Sequence, residues 1–321
     1  LREQYRRQYA FVGMGTHSLV NLYSVLHYLQ VPLKYVCVTS ERKAALIEQK
    51  FAGVKATTQI DELLNDEEIA GVFVAASPTA QYGLSKRVLE SGKALFVEKP
   101  PCQSLEELDE LVALKQTKGV EVACAGLQKR YAPSVQLLRQ RLRKEKLVSY
   151  NLHYRTGAYP EGNAWLDLYI HPVDLATHLF GAAEVVAREQ VGTQSWLMML
   201  RHEGVVGVLE LSTDYTWTDA EEALTICTQK GAYRLTQMEE LTYEQKHPVL
   251  LGIPMEKVRP RGKMVEQLWA RNNFTPILLH NQVYSQGFYN EVKAFVDAVE
   301  HGGTMLTDLT TLRETYRIIL K

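Results

Sequence analysis

Lys99 ends a short apolar run and stands directly before two prolines. Leu95, Phe96 and Val97 are typical of a buried parallel strand, and the strand must end here because Pro100 has no backbone N–H. Lys99 is therefore predicted at the carboxyl end of a strand, the edge of an open α/β sheet where ligands bind. A lysine before a turn is usually a solvated surface residue. The double proline, whose first peptide bond is a candidate for the cis form, fixes the backbone and favours a lysine that does chemistry.

A second set of ionisable residues, Asp167, His171, Asp174 and His178, follows at offsets of four, three and four. On a helix these residues share one face, although Pro172 makes this less certain for Asp167. Three interpretations remain open. They are a structural set of caps and salt bridges, a metal site, and general acid/base chemistry by a histidine that a carboxylate orients. The sequence offers no further ligand cluster, so no metal site is predicted.

A glycine turn precedes both sets. Residues 9–12 are apolar, Gly13 and Gly15 follow, and apolar residues then recur at helical spacing. Strand, glycine turn and helix form the context that a dinucleotide fingerprint requires. Gly13 allows the tight turn, and Gly15 lets the backbone approach a pyrophosphate at the helix N-terminus. Ser18 stands where the fingerprint has its third glycine.

The elements that must position these residues alternate between strand and helix up to about residue 125. Such a rhythm predicts an α/β fold with a doubly wound parallel sheet, that is, a Rossmann domain. We predict strands at 9–12, 34–38, 71–76, 94–97 and 120–125, and helices at 42–51, 60–64, 81–91 and 104–118.

After Gly126 several strands follow one another without helices between them, which predicts a mostly antiparallel sheet. The predicted domains are therefore a dinucleotide-binding Rossmann domain at 1–125 and an α+β domain for substrate binding and oligomerisation at 126–321. In the second domain we predict strands at 147–154, 184–191, 195–201, 205–212, 223–228 and 232–236, and helices at 133–143, from after Trp165 to Phe180, at 288–299 and at 309–320. The periodicity of residues 246–275 is too poor to place elements.

Composition excludes several classes of protein. The chain has 321 residues, is 46% hydrophobic and has a net charge of −1, so neither nucleic acid nor an acidic membrane is an expected partner. No apolar run is long enough to span a bilayer, and residues 8–13 are expected to form the first strand, which would leave no room for a cleavable leader. The four cysteines lack CxxC spacing and are predicted to be reduced core residues of a cytoplasmic protein.

Taken together, these features resemble the glucose–fructose oxidoreductase/inositol dehydrogenase (Gfo/Idh/MocA) family over nearly the whole chain. The resemblance rests on the glycine turn, the Glu98-Lys99-Pro100 motif and the Asp167, His171, Asp174 pattern. It also includes the segments 77–79, 128–133 and 289–295. Of these, the Glu-Lys-Pro motif followed at this distance by DxxxH is specific, and the glycine turn alone is not.

The resemblance implies a Rossmann domain followed by a domain with a large open sheet. It also implies hydride transfer between NAD(P) and a secondary alcohol or carbonyl of a sugar, cyclitol or sugar derivative. Lys99 would polarise the reacting oxygen, His171 would exchange its proton, and Asp167 would position the substrate. The predicted cofactor-binding residues are Gly13, Gly15, Thr16, His17, Ser40, Arg42, Ser77, Pro78, Glu98 and Lys99; the predicted substrate-binding residues are Tyr82, Lys99, Arg130, Tyr169, Asp167 and His171.

The sequence departs from the family pattern at Ser18, Tyr82, Gln128-Lys129, Asn163 and Tyr169. The two tyrosines are expected to change the shape of the substrate pocket, so the resemblance does not identify the substrate. Two alternatives remain. One is a non-catalytic regulator that binds NAD(P). The presence of all three catalytic candidates argues against it, because a protein that only binds NAD(P) does not need them. The other is a glycosidase that retains its NAD through a transient oxidation.

The end of the second predicted strand bears on the choice of cofactor. NAD enzymes usually place an acidic residue there, to bind the ribose hydroxyls. Here Thr39-Ser40 is followed by Glu41, Arg42 and Lys43. Hydroxyls and cations suit a 2′-phosphate, so NADP is the favoured cofactor, and NAD is the alternative if Glu41 turns inward.

Residues 196–200 predict the assembly state. Both faces of this strand are apolar, so both need cover. Helices of the same chain can cover one face. The other is predicted to pack on the sheet of a second copy, which gives a homodimer or homotetramer.

Overall fold

The computed structural model describes residues 5–159, 162–215, 220–258, 262–272 and 281–321. The chain divides into two compact units. The first contains Leu1–Tyr131, Trp165–Ile170 and Gly287–Lys321, and the second contains Ala132–Ala164 and His171–Gln286.

The first unit is built on a six-stranded parallel sheet with the order β3-β2-β1-β4-β5-β6. This is the strand order of a doubly wound dinucleotide-binding sheet, so the predicted α/β fold of this part is confirmed. The strands are β1 Gln8–Val12, β2 Leu33–Cys37, β3 Lys55–Thr57, β4 Ile69–Val74, β5 Ala94–Glu98 and β6 Ala123–Gly126.

Helices connect these strands, and hydroxyl caps begin two of them. Ser40 Oγ accepts the backbone N–H of Lys43, and Ser104 Oγ accepts that of Glu107, which satisfies donors that a helix start leaves open. The helices are Thr16–Ser18, continued by a π-helical turn Leu19–Tyr23 and by Ser24–Leu29, then Glu41–Lys50, Ile60–Leu64, Pro78–Glu90, Leu105–Thr117 and the 3₁₀ turn Gln128–Tyr131.

The segment after residue 287 returns to the first unit and completes it. The ring of Phe295 meets those of Phe73 and Phe96 at centroid distances of 4.9 and 5.7 Å. Beside the edge strand β6, the N–H of Ala125 donates to the carbonyl of Thr307 at 3.0 Å. The helical elements of this segment are Phe288–His301, the 3₁₀ turn Leu309–Leu312 and Arg313–Ile319.

The second unit is built on an eight-stranded sheet with the order β16-β13-β12-β11-β7-β10-β9-β8. Its neighbouring strands are antiparallel except β7 and β10, so the predicted mostly antiparallel open sheet is confirmed. The strands are β7 Leu147–Arg155, β8 Ala183–Gln190, β9 Trp196–His202, β10 Val205–Ser212, β11 Glu221–Thr228, β12 Gly231–Thr236, β13 Glu240–Gln245 and β16 Val265–Ala270, with β14 Val249–Leu250 and β15 Ile253–Pro254 in a separate hairpin. The helices are Pro133–Leu142, Ile170–Phe180 after a π-helical turn Trp165–Tyr169, Met255–Val258 and Gln282–Ser285.

The two faces of the large sheet differ in burial. On β9, Met198 and Leu200 are buried, whereas Leu197 and Met199 alternate with them and are 43% and 37% exposed. Within the chain, one apolar face is therefore covered and the other is open.

Several predictions need correction. Strands β13 and β16 were not predicted, because polar residues alternate weakly with apolar ones in both. The helix predicted at 309–320 begins as a 3₁₀ turn at Leu309–Leu312. Cys227 is exposed on β11 rather than in the core, while the other three cysteines are buried. The predicted division at 125/126 lies near the first break at Tyr131, but it does not include the return of residues 165–170 and 287–321 to the first unit.

Candidate active site

Gly13 and Gly15 have different roles in the glycine turn. Gly13 has φ of +89°, and a Cβ there would lie 2.2 Å from the carbonyl oxygen of Ala75, so only glycine fits. Its N–H donates to the carbonyl of Cys37 at 2.8 Å. A Cβ on Gly15 would meet no atom within 4 Å, so this glycine borders open space. Ser18, in place of the third glycine, closes the turn because its hydroxyl accepts the N–H of Gly15 and donates to its carbonyl, both at 3.0 Å.

A cavity of about 800 Å³ lies outside the carboxyl ends of β1, β2, β4 and β5. This is where an open α/β sheet binds its ligand. Of the predicted cofactor-binding residues, the cavity is lined by Gly13, Gly15, Thr16, His17, Ser77, Pro78, Glu98 and Lys99. Ser40 instead caps its helix, and neither it nor Arg42 lines the cavity wall, whereas Lys43 does.

Lys99 lies at the end of this cavity, one residue beyond β5. Its Nζ donates to the main-chain carbonyl of Asp167 at 2.5 Å, and its own carbonyl accepts a hydrogen bond from Gln81 at 3.3 Å. Burial lowers the pKa of the Lys99 ammonium, and the charge of Lys129 lowers it further, against the opposing effect of Glu98 and Asp167. The site therefore holds a lysine that gives up its proton more readily than a surface lysine does.

The backbone after Lys99 is held in place from the C-terminal segment. The Lys99–Pro100 peptide bond is cis. Two residues on, the carbonyl of Cys102 accepts the hydroxyl of Tyr316 at 2.9 Å, and the N–H of Cys102 donates to the same oxygen at 3.4 Å. Tyr316 is fully buried, so it anchors the loop that carries the lysine.

Asp167 lies in the π-helical turn Trp165–Tyr169, which runs into the helix Ile170–Phe180. Pro172 occupies the first turn of that helix, which begins at Ile170. A π-helical bond to the carbonyl of Asp167 would come from the N–H of residue 172, and proline has none. Lys99 supplies a hydrogen-bond donor to this carbonyl from outside the helix.

His171 and Asp174 are both buried, at 9% and 2% exposure, on the helix Ile170–Phe180. They belong to the second unit, whereas Lys99 and Asp167 belong to the first. The joint action of the three predicted catalytic residues therefore stays a prediction.

The other predicted substrate-binding residues make contacts within the first unit. The hydroxyl of Tyr82 bonds to Glu110. Arg130 is buried and donates to the carbonyl of Leu306 at 2.6 Å and to Thr311 at 2.9 Å. Tyr169 is fully buried, with its ring 5.5 Å from that of Trp165. Their roles toward a substrate stay predictions.

Sequence reasoning missed two residues that shape the site. Gln81 is buried, lines the cavity and binds the carbonyl of Lys99. Gly126 pairs in register with Glu98, and a Cβ there would lie 3.1 Å from the Glu98 carboxylate. Gly126 ends β6, which pairs with the strand of the Glu-Lys-Pro motif. A glycine at this position was the sequence signal that could have predicted the packing.

The described part of the chain contains neither a metal-binding cluster nor a membrane-spanning helix. Outside the gaps at 1–4, 160–161, 216–219, 259–261 and 273–280, no group of three or more His, Cys, Asp or Glu side chains is placed to hold a metal ion. In the same described residues, no helix has both the length and the apolar character needed to cross a membrane.

The sequence of the first unit matches that of a known family. Residues 7–125 match the model of the Gfo/Idh/MocA group, described as an oxidoreductase family with an NAD-binding Rossmann fold. Over these residues the predicted resemblance is confirmed, and the glycine turn that forms part of it lines the cavity described above.

Curated relatives cover part of the chain. An uncharacterized oxidoreductase, YhhX, of Escherichia coli is 29% identical over 43% of this chain and 43% of its own length. A scyllo-inositol 2-dehydrogenase (NAD(+)) of Bacillus subtilis is 29% identical over 46% of this chain and 47% of its own. An inositol 2-dehydrogenase 2 of Paenarthrobacter aurescens is 26% identical over 64% of this chain and 68% of its own. The chain spans less than two thirds of the length of the first relatives it matches.

Solved structures share the fold over nearly the whole chain. A dehydrogenase from Chromobacterium violaceum has a TM-score of 0.81 at 19% identity, with 98% of this chain and 93% of that one covered. A levoglucosan dehydrogenase in complex with NADH also has a TM-score of 0.81, at 15% identity, with 98% and 95% covered. At these identities the likeness shows the fold alone.

Proposed function

We propose that this chain is an NAD(P)-dependent dehydrogenase acting on a secondary hydroxyl or carbonyl of a sugar, cyclitol or sugar derivative. The observation that carries the proposal is the cavity that joins the glycine turn to Lys99 within one unit. Two features fit a dinucleotide in this cavity: the open space at Gly15, and the buried Glu98 carboxylate oxygen, which has no hydrogen-bond partner among the residues that the structure describes. The names of the inositol dehydrogenase relatives support the substrate class.

The chemistry divides between cofactor and protein. A bound nicotinamide supplies hydride transfer. The chain must stabilise charge on the reacting oxygen and move its proton. Lys99 is proposed for the first task, since its ammonium is held at the end of the cavity by the carbonyl of Asp167. His171 is proposed as the base, and Asp167 as the residue that positions the substrate.

NADP is the proposed cofactor in preference to NAD. Lys43 lines the cavity near the end of β2, where a Rossmann domain binds the adenosine ribose of its cofactor and distinguishes NADP from NAD. The carboxylate of Glu41, which an NAD enzyme would offer to the ribose, accepts the hydroxyl of Thr58 at 2.6 Å. Fluorescence titration with both reduced cofactors tests this preference, and tighter binding of NADH contradicts it.

The proposed partners are a small sugar-like substrate and further copies of the same chain. Tyr82, Arg130 and Tyr169 are retained as proposed substrate-binding residues. The open face of the large sheet, with Leu197 and Met199 exposed, supports a homodimer or homotetramer. Light scattering at micromolar concentration tests the assembly, and a monomeric mass contradicts it.

The deciding experiment is a screen of polyols, aldoses and nucleotide sugars for cofactor reduction, followed by His171→Ala. We expect this variant to bind cofactor normally and to lose turnover by about a hundredfold or more, the scale of a lost general base. His178→Ala, on the same helix, is the matched control and should stay within a few-fold of the parent. If His171→Ala turns over normally across the pH range, the proposed role of His171 is wrong. Glycoside cleavage without net cofactor turnover would indicate the alternative glycosidase function.

A further inference from the structure

Glu98 places a buried carboxylate in the wall of the cofactor cavity. Its side chain is over nine-tenths buried and is packed above Gly126, whose missing Cβ makes room for it. Oxygen Oε2 accepts the backbone N–H of Lys99 at 3.2 Å. Among the residues that the structure describes, Oε1 has no hydrogen-bond donor. Burying a carboxylate with one oxygen unsatisfied is costly, so a ligand-related role is indicated.

The imidazole of His17 lies close to this oxygen. Its Nδ1 lies 3.1 Å from the side-chain amide nitrogen of Asn21 and accepts a hydrogen bond from it. In the neutral ring the proton is therefore on Nε2, which lies 3.6 Å from Oε1 of Glu98. The edge of the ring packs against Phe288 at a centroid distance of 5.6 Å. The imidazole thus turns its N–H toward the carboxylate from the helix that follows the glycine turn.

The position of this pair relative to a dinucleotide follows from the cavity. The pyrophosphate belongs at the glycine turn, and the ribose of the adenosine belongs at the end of β2. The nicotinamide is left for the end of β5, where Glu98 and Lys99 line the same wall. The nicotinamide ring carries a positive charge when oxidised and none when reduced. A fixed carboxylate beside it therefore interacts differently with the two forms.

We propose that Glu98 selects the redox state of the bound cofactor, favouring the oxidised nicotinamide, and that His17 moderates this preference by directing Nε2–H at the carboxylate. The inference rests on the proposed dinucleotide function and deepens it. Three other charged groups act on the same region, namely the Lys99 ammonium, Lys129 and Asp167. A substitution of Glu98 leaves all three in place, so the change that it causes in the ratio of the two affinities reports on the charge of Glu98.

The test measures the ratio of two dissociation constants rather than turnover, so it needs no substrate. The reduced cofactor is titrated by its fluorescence, and the oxidised form is measured by displacing it. Glu98→Gln keeps the shape and removes the charge, and we expect it to shift the ratio toward the reduced form by about tenfold or more. His17→Asn leaves Glu98 charged and less compensated, so it should shift the ratio in the opposite direction. Any uniform loss of binding in either variant cancels in the ratio.

Glu90→Gln, on an exposed helix end, is the matched control and should leave the ratio unchanged. If the parent protein binds neither cofactor form, the proposed function has failed. If it binds both and Glu98→Gln leaves the ratio unchanged, the proposed function stands and the selection by Glu98 is refuted. A shift of the same sign in both variants refutes the part assigned to His17.

Discussion

Replacing Gly13 by alanine tests the physical basis of the cofactor cavity. Two separate penalties follow from its geometry. Its φ of +89° lies in the left-handed region, which costs an L-residue about 1–2 kcal/mol. The new Cβ would also lie 2.2 Å from the carbonyl oxygen of Ala75, which is main chain and cannot rotate away. Relieving such overlap costs a further 1–3 kcal/mol, roughly the range for overpacking. We therefore expect Gly13→Ala to lower the free energy of unfolding by about 2–5 kcal/mol.

Two other glycines separate these contributions. Gly53 has a nearly equal φ of +84°, but a Cβ there meets nothing within 4 Å, so Gly53→Ala should show the conformational cost alone. Gly15 has an ordinary φ of −91° and open space beside it, so Gly15→Ala should leave stability within about 0.5 kcal/mol of the parent. The added methyl group would, however, occupy the space that a pyrophosphate must approach. We expect Gly15→Ala to weaken cofactor binding while Gly53→Ala does not.

The assay is urea unfolding of the three variants, combined with fluorescence titration of NADPH and NADH. Equal stability of Gly13→Ala and Gly53→Ala would refute the contact with Ala75. Normal cofactor binding by Gly15→Ala would refute the placement of the pyrophosphate at the glycine turn.

Two further predictions concern Lys99 and its support. Because burial lowers the pKa of Lys99 from 10.5, the native state binds that proton less tightly than the unfolded chain does. Relative to Lys99→Met, the parent should therefore gain stability as pH rises toward 10.5, by about 1.4 kcal/mol for each unit by which the pKa of Lys99 is lowered. Urea unfolding of both proteins between pH 7 and 10 measures this gain. The prediction is contradicted if the free energy of unfolding depends on pH in the same way in both proteins.

Tyr316→Phe leaves the N–H and carbonyl of Cys102 without their buried partner. This should lower the free energy of unfolding by about 1–3 kcal/mol and weaken cofactor binding, because the loop that carries Lys99 becomes looser. Unchanged unfolding and unchanged cofactor binding would show that the loop does not depend on this anchor.

The parts of the fold that were predicted from sequence are those that local chemistry specifies. The apolar run before Gly13, the helix after it and the prolines after Lys99 each determine their own backbone, so the Rossmann strands were predictable. The same holds for Ser104, whose hydroxyl caps the helix predicted there.

Long-range packing determines the rest. The contact between Lys99 and the carbonyl of Asp167 joins residues 68 positions apart and depends on a π-helical turn that no residue pattern indicates. The sequence alone left open whether the carboxylate of Glu41 binds the ribose. The fold shows that this carboxylate accepts a hydrogen bond from the hydroxyl of Thr58. Strand β16 is largely exposed, so its side chains carry little of the apolar alternation by which strands are recognised.

The return of residues 287–321 to the first unit has a consequence for biosynthesis. Domains generally fold in the order in which the ribosome releases them. Here the first six strands emerge early, but Phe295, which packs on Phe73 and Phe96, emerges only after the whole of the second unit. Until then the aromatic core beneath β4 and β5 lacks one of its rings, and β6 lacks the carbonyl of Thr307. The sheet whose strand ends border the cavity is therefore encoded first, yet its aromatic core is completed only after the second unit has been synthesised.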